Sequence, residues 1–328
     1  MFVLKRLVSV MFLIFGVNLM SLSITAAQAD QLTFVMVSHG GAQIPFWHYV
    51  IEGMDDACAL LEAECHWLSN PLFSFEEMTG YWEEALALNP DGIGTSAIAP
   101  EFIRDGVERA AELGIPVILF NVDDPNAGTD EALPALFYIG SDEFGAGVSN
   151  ARRVFAEAEI DGVTIQRGVC ANSLVGIAPM DARCAGVESV FAEEGVPLDL
   201  LPLENDLILN LPIFNDYFAE HPETNAFLTP GQSIAGDLMQ YIQQEGLAPR
   251  QLYAATHDFS PTVLQMIRDG YLVQTVGQQA YMQGFQTIMS LYLASEFGIQ
   301  PSGNIYTNTV VDQSNVDQDG ELGLVGYR

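Results

Sequence analysis

The sequence predicts an α/β protein built as two similar lobes, each a doubly wound parallel sheet. Three observations carry that prediction. Short apolar runs rich in β-formers alternate with segments of helical apolar period along most of the chain. The alternation breaks once, at residues 125–134 (PNAGTDEALP), and then starts again. The 328 residues are enough for two domains of ordinary size, each with its own core.

The first unit shows the pattern. Residues 32–37 read as a strand and 47–61 as a helix, joined by a loop from Ser38 to Phe46 that contains His39, Gly40 and Gly41. Strand 65–68, helix 75–88, strand 91–96, helix 100–113 and strand 115–120 follow with short connections, which implies a parallel sheet covered on both faces. The right-handed crossover rule then places the exits at Ser38, Thr95-Ser96 and Asn121 on one edge. After the loop, residues 136–140 are apolar, and Ser141 opens a helix in capping-box style. The second alternation predicts strands at 163–169, 197–201, 226–228, 251–256 and 271–276. Its helices are predicted at 179–193, 207–220, 233–244 and 261–268. A long helix at 281–297 and a late strand at 305–311 complete the pattern.

The front end reads differently. Lys5 and Arg6 form a positive n-region, residues 7–22 an apolar h-region, and Ala27-Gln28-Ala29 a small-x-small cleavage site, so residues 1–29 read as a cleavable export signal. No cysteine ends that segment to take a lipid anchor, and no other stretch approaches membrane-spanning length. The expected destination is the periplasm. Without Lys5 and Arg6, nine basic residues face 43 acidic ones, a net charge of −34. Such a surface repels nucleic acid and anionic lipid and argues against either as a partner. The acids are spread along the chain and read as a solvated acidic surface rather than a binding block.

Four cysteines in an exported chain suggest two disulfides. Three connectivities are open, with nearest-neighbour pairing, Cys58–Cys65 and Cys170–Cys184, as the expectation. No CxxC or His-x-His spacing supports a metal. Neither GxGxxG nor GxxxxGK[ST] stands at a strand exit, so no nucleotide cofactor is expected.

Ligands of open α/β sheets sit beyond the carboxyl ends of the strands, and two facing lobes make a cleft there. The exits gather the adjacent rings Phe46 and Trp47, Asn121, Asn172-Ser173, Pro230-Gly231-Gln232, His257-Asp258 and Gln278. Rings with amides and carboxylates suit a neutral polyhydroxyl ligand. Its carbon face stacks on a ring, and its hydroxyls both donate and accept.

Six stretches in order then resemble a known family, the periplasmic sugar-binding proteins of ABC importers of the ribose- and galactose-binding type. They are PFWHYVIEGMDDA (45–57), NPDGIGTS (89–96), GIPVILFNVDD (114–124), YIGSDEFGAG (138–147), RCAGVESVF (183–191) and HDFSPTVLQMIRDGYLVQTVGQQ (257–279). The resemblance covers nearly the whole chain after the signal. It implies two lobes joined by a three-stranded hinge, with crossings near 138–141, 276–279 and 306–310, and closure around a sugar. The implied lobes are 30–140 plus 279–308, and 141–278 plus 309–328. Phe46 and Trp47 match the ring-stacking site, and Asn121 matches the polar residue at the fourth strand exit. Arg183 matches the arginine of Arg-x-x-Gly, Asp258 the sugar-binding carboxylate eleven residues before Asp269, and Gln278 the glutamine that completes the site. Gly231 stands where relatives usually carry asparagine, and Val122 where the ribose binder has arginine. His39 and Asp123 are candidates to compensate.

The resemblance therefore implies a monomeric solute receptor that delivers a small neutral sugar or polyol to an inner-membrane ABC permease. The alternative in the same fold is a receptor for a sugar-like signal, such as a furanose autoinducer, docking on a chemoreceptor or membrane sensor. An enzyme is not expected, because no carboxylate pair, Ser-His-Asp order or metal spacing appears. A repressor would need a helix-turn-helix where the export signal stands.

Overall fold

A computed structural model describes residues 31–204 and 206–327. The expected signal at 1–29 lies outside the described residues. Two six-stranded sheets organise the chain. The first runs in the order β11-β5-β4-β3-β1-β2, with β1 (Thr33–Val37), β2 (Glu64–Leu68), β3 (Gly92–Thr95), β4 (Val117–Asn121), β5 (Tyr138–Gly140) and β11 (Ile305–Tyr306). The second repeats that order as β12-β10-β9-β8-β6-β7. Its strands are β6 (Gly168–Asn172), β7 (Leu198–Pro202), β8 (Ala226–Leu228), β9 (Tyr253–His257), β10 (Gln274–Gly277) and β12 (Thr309–Asp312). Every pairing is parallel except β10 with β12. Helices cover both faces of each sheet, so strand interiors such as Phe34–Val37 and Tyr253–Ala255 are buried.

Helices α1 (Pro45–Leu61), α2 (Met78–Ala87) and α3 (Pro100–Glu112) follow the first three strands of the first sheet. The chain then crosses after β5 into α4 (Glu143–Ile160). It continues through α5 (Ala178–Glu194), α6 (Leu207–Glu220), α7 (Gln232–Glu245) and α8 (Pro261–Arg268) of the second lobe. It returns after β10 as α9 (Ala280–Phe297), which packs on α1, and crosses once more between β11 and β12. Hydrogen bonds tie these crossings together. Thr307 Oγ1 donates to Gln278 O at 2.7 Å, and Asn308 Oδ1 accepts from Asp142 N at 2.6 Å. A π-helical turn (Val316–Gly320) and α10 (Glu321–Leu324) follow β12.

In each lobe two helices cross backbone against backbone. A Cβ on Gly53 of α1 would lie 2.0 Å from Tyr281 O, and one on Gly284 of α9 would lie 1.8 Å from Val50 O. In the second lobe a Cβ on Gly147 of α4 would lie 1.9 Å from Arg183 O, and one on Gly186 of α5 would lie 2.1 Å from Phe144 O. Only hydrogen fits at these four positions. Both disulfides, Cys58–Cys65 and Cys170–Cys184, have the nearest-neighbour pairing.

Three local expectations are corrected. The strand expected at 163–169 is β6, Gly168–Asn172, because Gly168 accommodates the Phe191 ring while Val163 stays exposed. Residues 305–311 are not one strand but β11 and β12, in different sheets, because a crossing interrupts the apolar run. Helix α4 is capped by Asp142, whose Oδ1 accepts from Gly145 N at 2.8 Å, and not by Ser141. Ser141 Oγ donates instead to Glu143 Oε2 at 3.0 Å.

Candidate functional site

The two exits that frame the cleft share one backbone device. Asn121, at the end of β4, has φ 64°, and Asp258, just after β9, has φ 66°, both in the left-handed region that non-glycine residues rarely adopt. Each is held by the neighbouring strand. Tyr138 of β5 donates its hydroxyl to Asn121 O at 2.8 Å, and Thr275 of β10 donates its hydroxyl to Asp258 O at 2.7 Å. Backbone strain at such points is typical of functional positions.

Between the exits lies a cavity of about 250 Å³. His39, Phe46, Trp47, Asn121, Asp258 and Gln278 line it together. Trp47 is also a core residue, 3% exposed, with its ring at 5.1 Å from Phe46 and 4.8 Å from His39, both edge to face. Phe46 is half-buried. These consecutive rings thus divide the work: Trp47 mainly packs the first lobe, and Phe46 presents more of its surface to the cavity. Burial pushes the His39 imidazole down to about 3, so this wall carries no charge at neutral pH.

Asp258 and Gln278 face these rings across the cavity, and a charged cluster that does not itself line the cavity lies buried behind them. Arg183 is buried, donating Nε to Glu143 Oε2 at 2.6 Å and Nη1 to Pro230 O at 2.6 Å, with Asp258 Oδ2 at 4.0 Å. Burial alone would lower its guanidinium, but Glu143 and Asp258 outweigh that and raise it. Burial raises both carboxyls above their ordinary range, and Arg183 offsets this only in part. Gln278 Nε2 donates to Asp258 Oδ1 at 2.9 Å, fixing the carboxylate, which keeps 28% of its side-chain surface open. His257, fully buried beside them, is held neutral by burial and by Arg183.

The remaining sequence candidates sit apart. Asp123 faces a second cavity of about 180 Å³, with Tyr138, Asp142 and Glu143, and accepts from Asn304 Nδ2 at 3.2 Å. Gly231 is the N-cap of α7, where a Cβ would meet nothing within 4 Å, and its neighbour Gln232 reaches the first cavity. Val122 is buried and lines the second cavity. Asp258 does not cap α8, whose cap is Ser260. Among the described residues no group of three or more His, Cys, Asp and Glu could hold a metal.

Comparison with known proteins decides the family. A family described as "Periplasmic binding protein domain" matches residues 34–298. The chain belongs to that family. It is 25% identical over 257 residues to the xylose/arabinose-binding protein XylF of Sulfolobus acidocaldarius, covering 76% of this chain and 63% of that protein. The chain thus spans less than two thirds of the length of that relative. A carbohydrate transporter from Acidothermus cellulolyticus 11B, solved with myo-inositol, superposes with a TM-score of 0.73 at 24% identity, covering 91% of this chain and 100% of that one. A periplasmic ribose ABC transporter from Conexibacter woesei gives 0.74 at 22% identity, with 88% and 94% covered. The match is to a family of binding proteins rather than of enzymes.

Within this periplasmic binding protein, sequence reasoning missed residues that line the cavity and residues that support its lining from behind. Glu143, which holds Arg183, stands inside the quoted motif YIGSDEFGAG, but nothing in its spacing shows that it turns inward. Phe259 and Phe73 also line the cavity, and Phe259 was signalled only by following the His-Asp exit. Gln283 is fully buried in α9, accepts from Asn121 Nδ2 at 3.4 Å and donates to Gln278 O at 3.1 Å. A helix position with no motif around it gives no such signal.

Proposed function

We propose that this protein captures a small neutral sugar or polyol between its lobes, closing by rotation at the three crossings, and delivers it to a permease of an ABC transporter. One observation carries the reading: a neutral wall of rings and a wall of fixed polar groups share a single cavity between Phe46 and Asp258. A sugar offers a carbon face to the first and hydroxyls to the second. Asp258, Gln278, Arg183 and Asn121 are the hydrogen-bonding residues of this site, Phe46 and Trp47 its stacking residues, and His39 part of its ring wall. Asp123 and Gly231 act at its margins. The names of the relatives, a xylose/arabinose binder and a protein solved with myo-inositol, support the same class. Closure stabilises the bound form by the ligand's differential affinity for closed over open, with no chemistry performed. The reading includes export by the signal at 1–29, a monomer in the periplasm, and lobes of 30–140 plus 279–308 and 141–278 plus 309–328.

Thermal-shift screening of the mature protein against pentoses, hexoses and polyols tests it. A ligand at 100 times its dissociation constant adds ~2.7 kcal/mol to stability. The expected result is a shift with at least one such compound, lost in Asp258→Asn. If no compound shifts the parent, or if the variant responds equally, the reading fails.

A further inference from the structure

The stretch after β12 joins the lobes a fourth time, by side chains and a backbone hydrogen bond rather than by paired strands. It leaves the second lobe anchored: Arg268 Nε pairs with Asp317 at 2.9 Å and its Nη2 with Glu321 at 3.0 Å. The Phe259 ring lies against Gly323, where a Cβ would come within 2.7 Å of it, and against Gly277 of β10. Three residues after Gly323 the chain touches the first lobe. Tyr281 N, at the start of α9, donates to Gly326 O at 3.0 Å. The Tyr327 ring packs on Tyr281 at 4.8 Å, and its hydroxyl reaches Glu52 Oε1 of α1 at 3.3 Å. Gly326 has φ 75°, and a Cβ there would lie 2.4 Å from Tyr49 Cβ, so the close approach to α1 requires glycine. Between the two anchors, Gly323, Leu324 and Gly326 line the same cavity as Phe46 and Asp258.

We infer that Glu321–Tyr327 is a working part of the cleft: a tether from α8 to α1 and α9 that walls the cavity and limits how far the lobes part. Opening the cleft by rotation moves α8 away from α1, and the tether has only its few residues to take up that movement. The inference rests on the proposed two-lobe closure but not on any sugar. It is therefore tested without ligand.

Spin labels at Asp105 on α3 and Gln243 on α7, both exposed, report the interlobe distance in the ligand-free protein by pulsed electron resonance. Tyr327→Ala removes an exposed ring and leaves both cores intact, and Gly326→Val forces the segment off Tyr49. The expected result is a distance distribution that widens and shifts to longer values in Tyr327→Ala, and further in Gly326→Val. Distributions in Tyr327→Ala that superpose on the parent overturn the inference, whether or not Gly326→Val folds. A sugar screen that fails while the distances change refutes the ligand class and leaves the tether standing.

Discussion

Asn121 and Asp258 occupy equivalent places in two sheets of the same strand order, with nearly the same φ and the same clamp from the next strand. Their side chains do opposite things. Asn121 is neutral and looks across to Gln283 and a wall of rings, whereas Asp258 is a carboxylate backed by a buried guanidinium. The fold therefore supplies the position twice, and the side chains make one wall apolar and the other ionic. That asymmetry suits the proposed ligand, whose carbon face and hydroxyls differ in the same way.

Breaking the ionic wall should have the largest effect. Arg183→Ala leaves Glu143 buried without its partner, which costs roughly 3–5 kcal/mol. Urea unfolding should show that loss, and the double variant Arg183→Ala with Glu143→Ala should recover part of it. A single variant as stable as the parent would mean the pair contributes nothing to the wall.

The walls also differ in their response to pH. His39 is held at about 3 in the folded protein against an ordinary 6.5, so its contribution to stability is complete above pH 6.5 and declines as pH falls toward 3. His257 acts in the same sense. Glu143 and Asp258, raised by burial, run the other way: their contribution is complete below the ordinary carboxyl range and is lost as pH rises through their folded values. His39→Phe should remove up to one proton from the acid limb, about 1.4 kcal/mol per pH unit between pH 6 and 4. Stability curves of parent and variant with the same slope there would place the proton elsewhere.

The smallest expected effect sharpens the comparison instead of breaking it. Gly231→Asn adds a side chain into open space at a helix N-cap, so stability should change by no more than about 0.5 kcal/mol. The order of preference in a sugar thermal-shift panel should change, because the new amide adds a donor and an acceptor to the ionic side. An unchanged order would remove Gly231 from the site.

Much of this was legible in the sequence. Alternating apolar periods give a parallel two-lobed architecture, because a strand buried on both faces and an amphipathic helix leave different residue patterns. The exits could be located for the same reason, since polar residues follow each apolar run. The inward turn of Glu143 could not be read, because an acid in a helix's first turn looks the same whether it faces water or an arginine from the next helix. The ring pair was also ambiguous: adjacent aromatics show that one face is apolar, and only packing against Trp67 and Phe120 shows that Trp47 is mostly core. The split of residues 305–311 between two sheets depends on tertiary pairing that local period does not encode.

The glycine crossings at Gly53 with Gly284, and at Gly147 with Gly186, have a mechanical consequence. Main chains this close leave the paired helices no room to slide past each other by a fraction of a side chain. In the proposed closure, movement then falls to the short spans that join the lobes. A larger residue at any of these four glycines would have to push the two helices of its lobe apart.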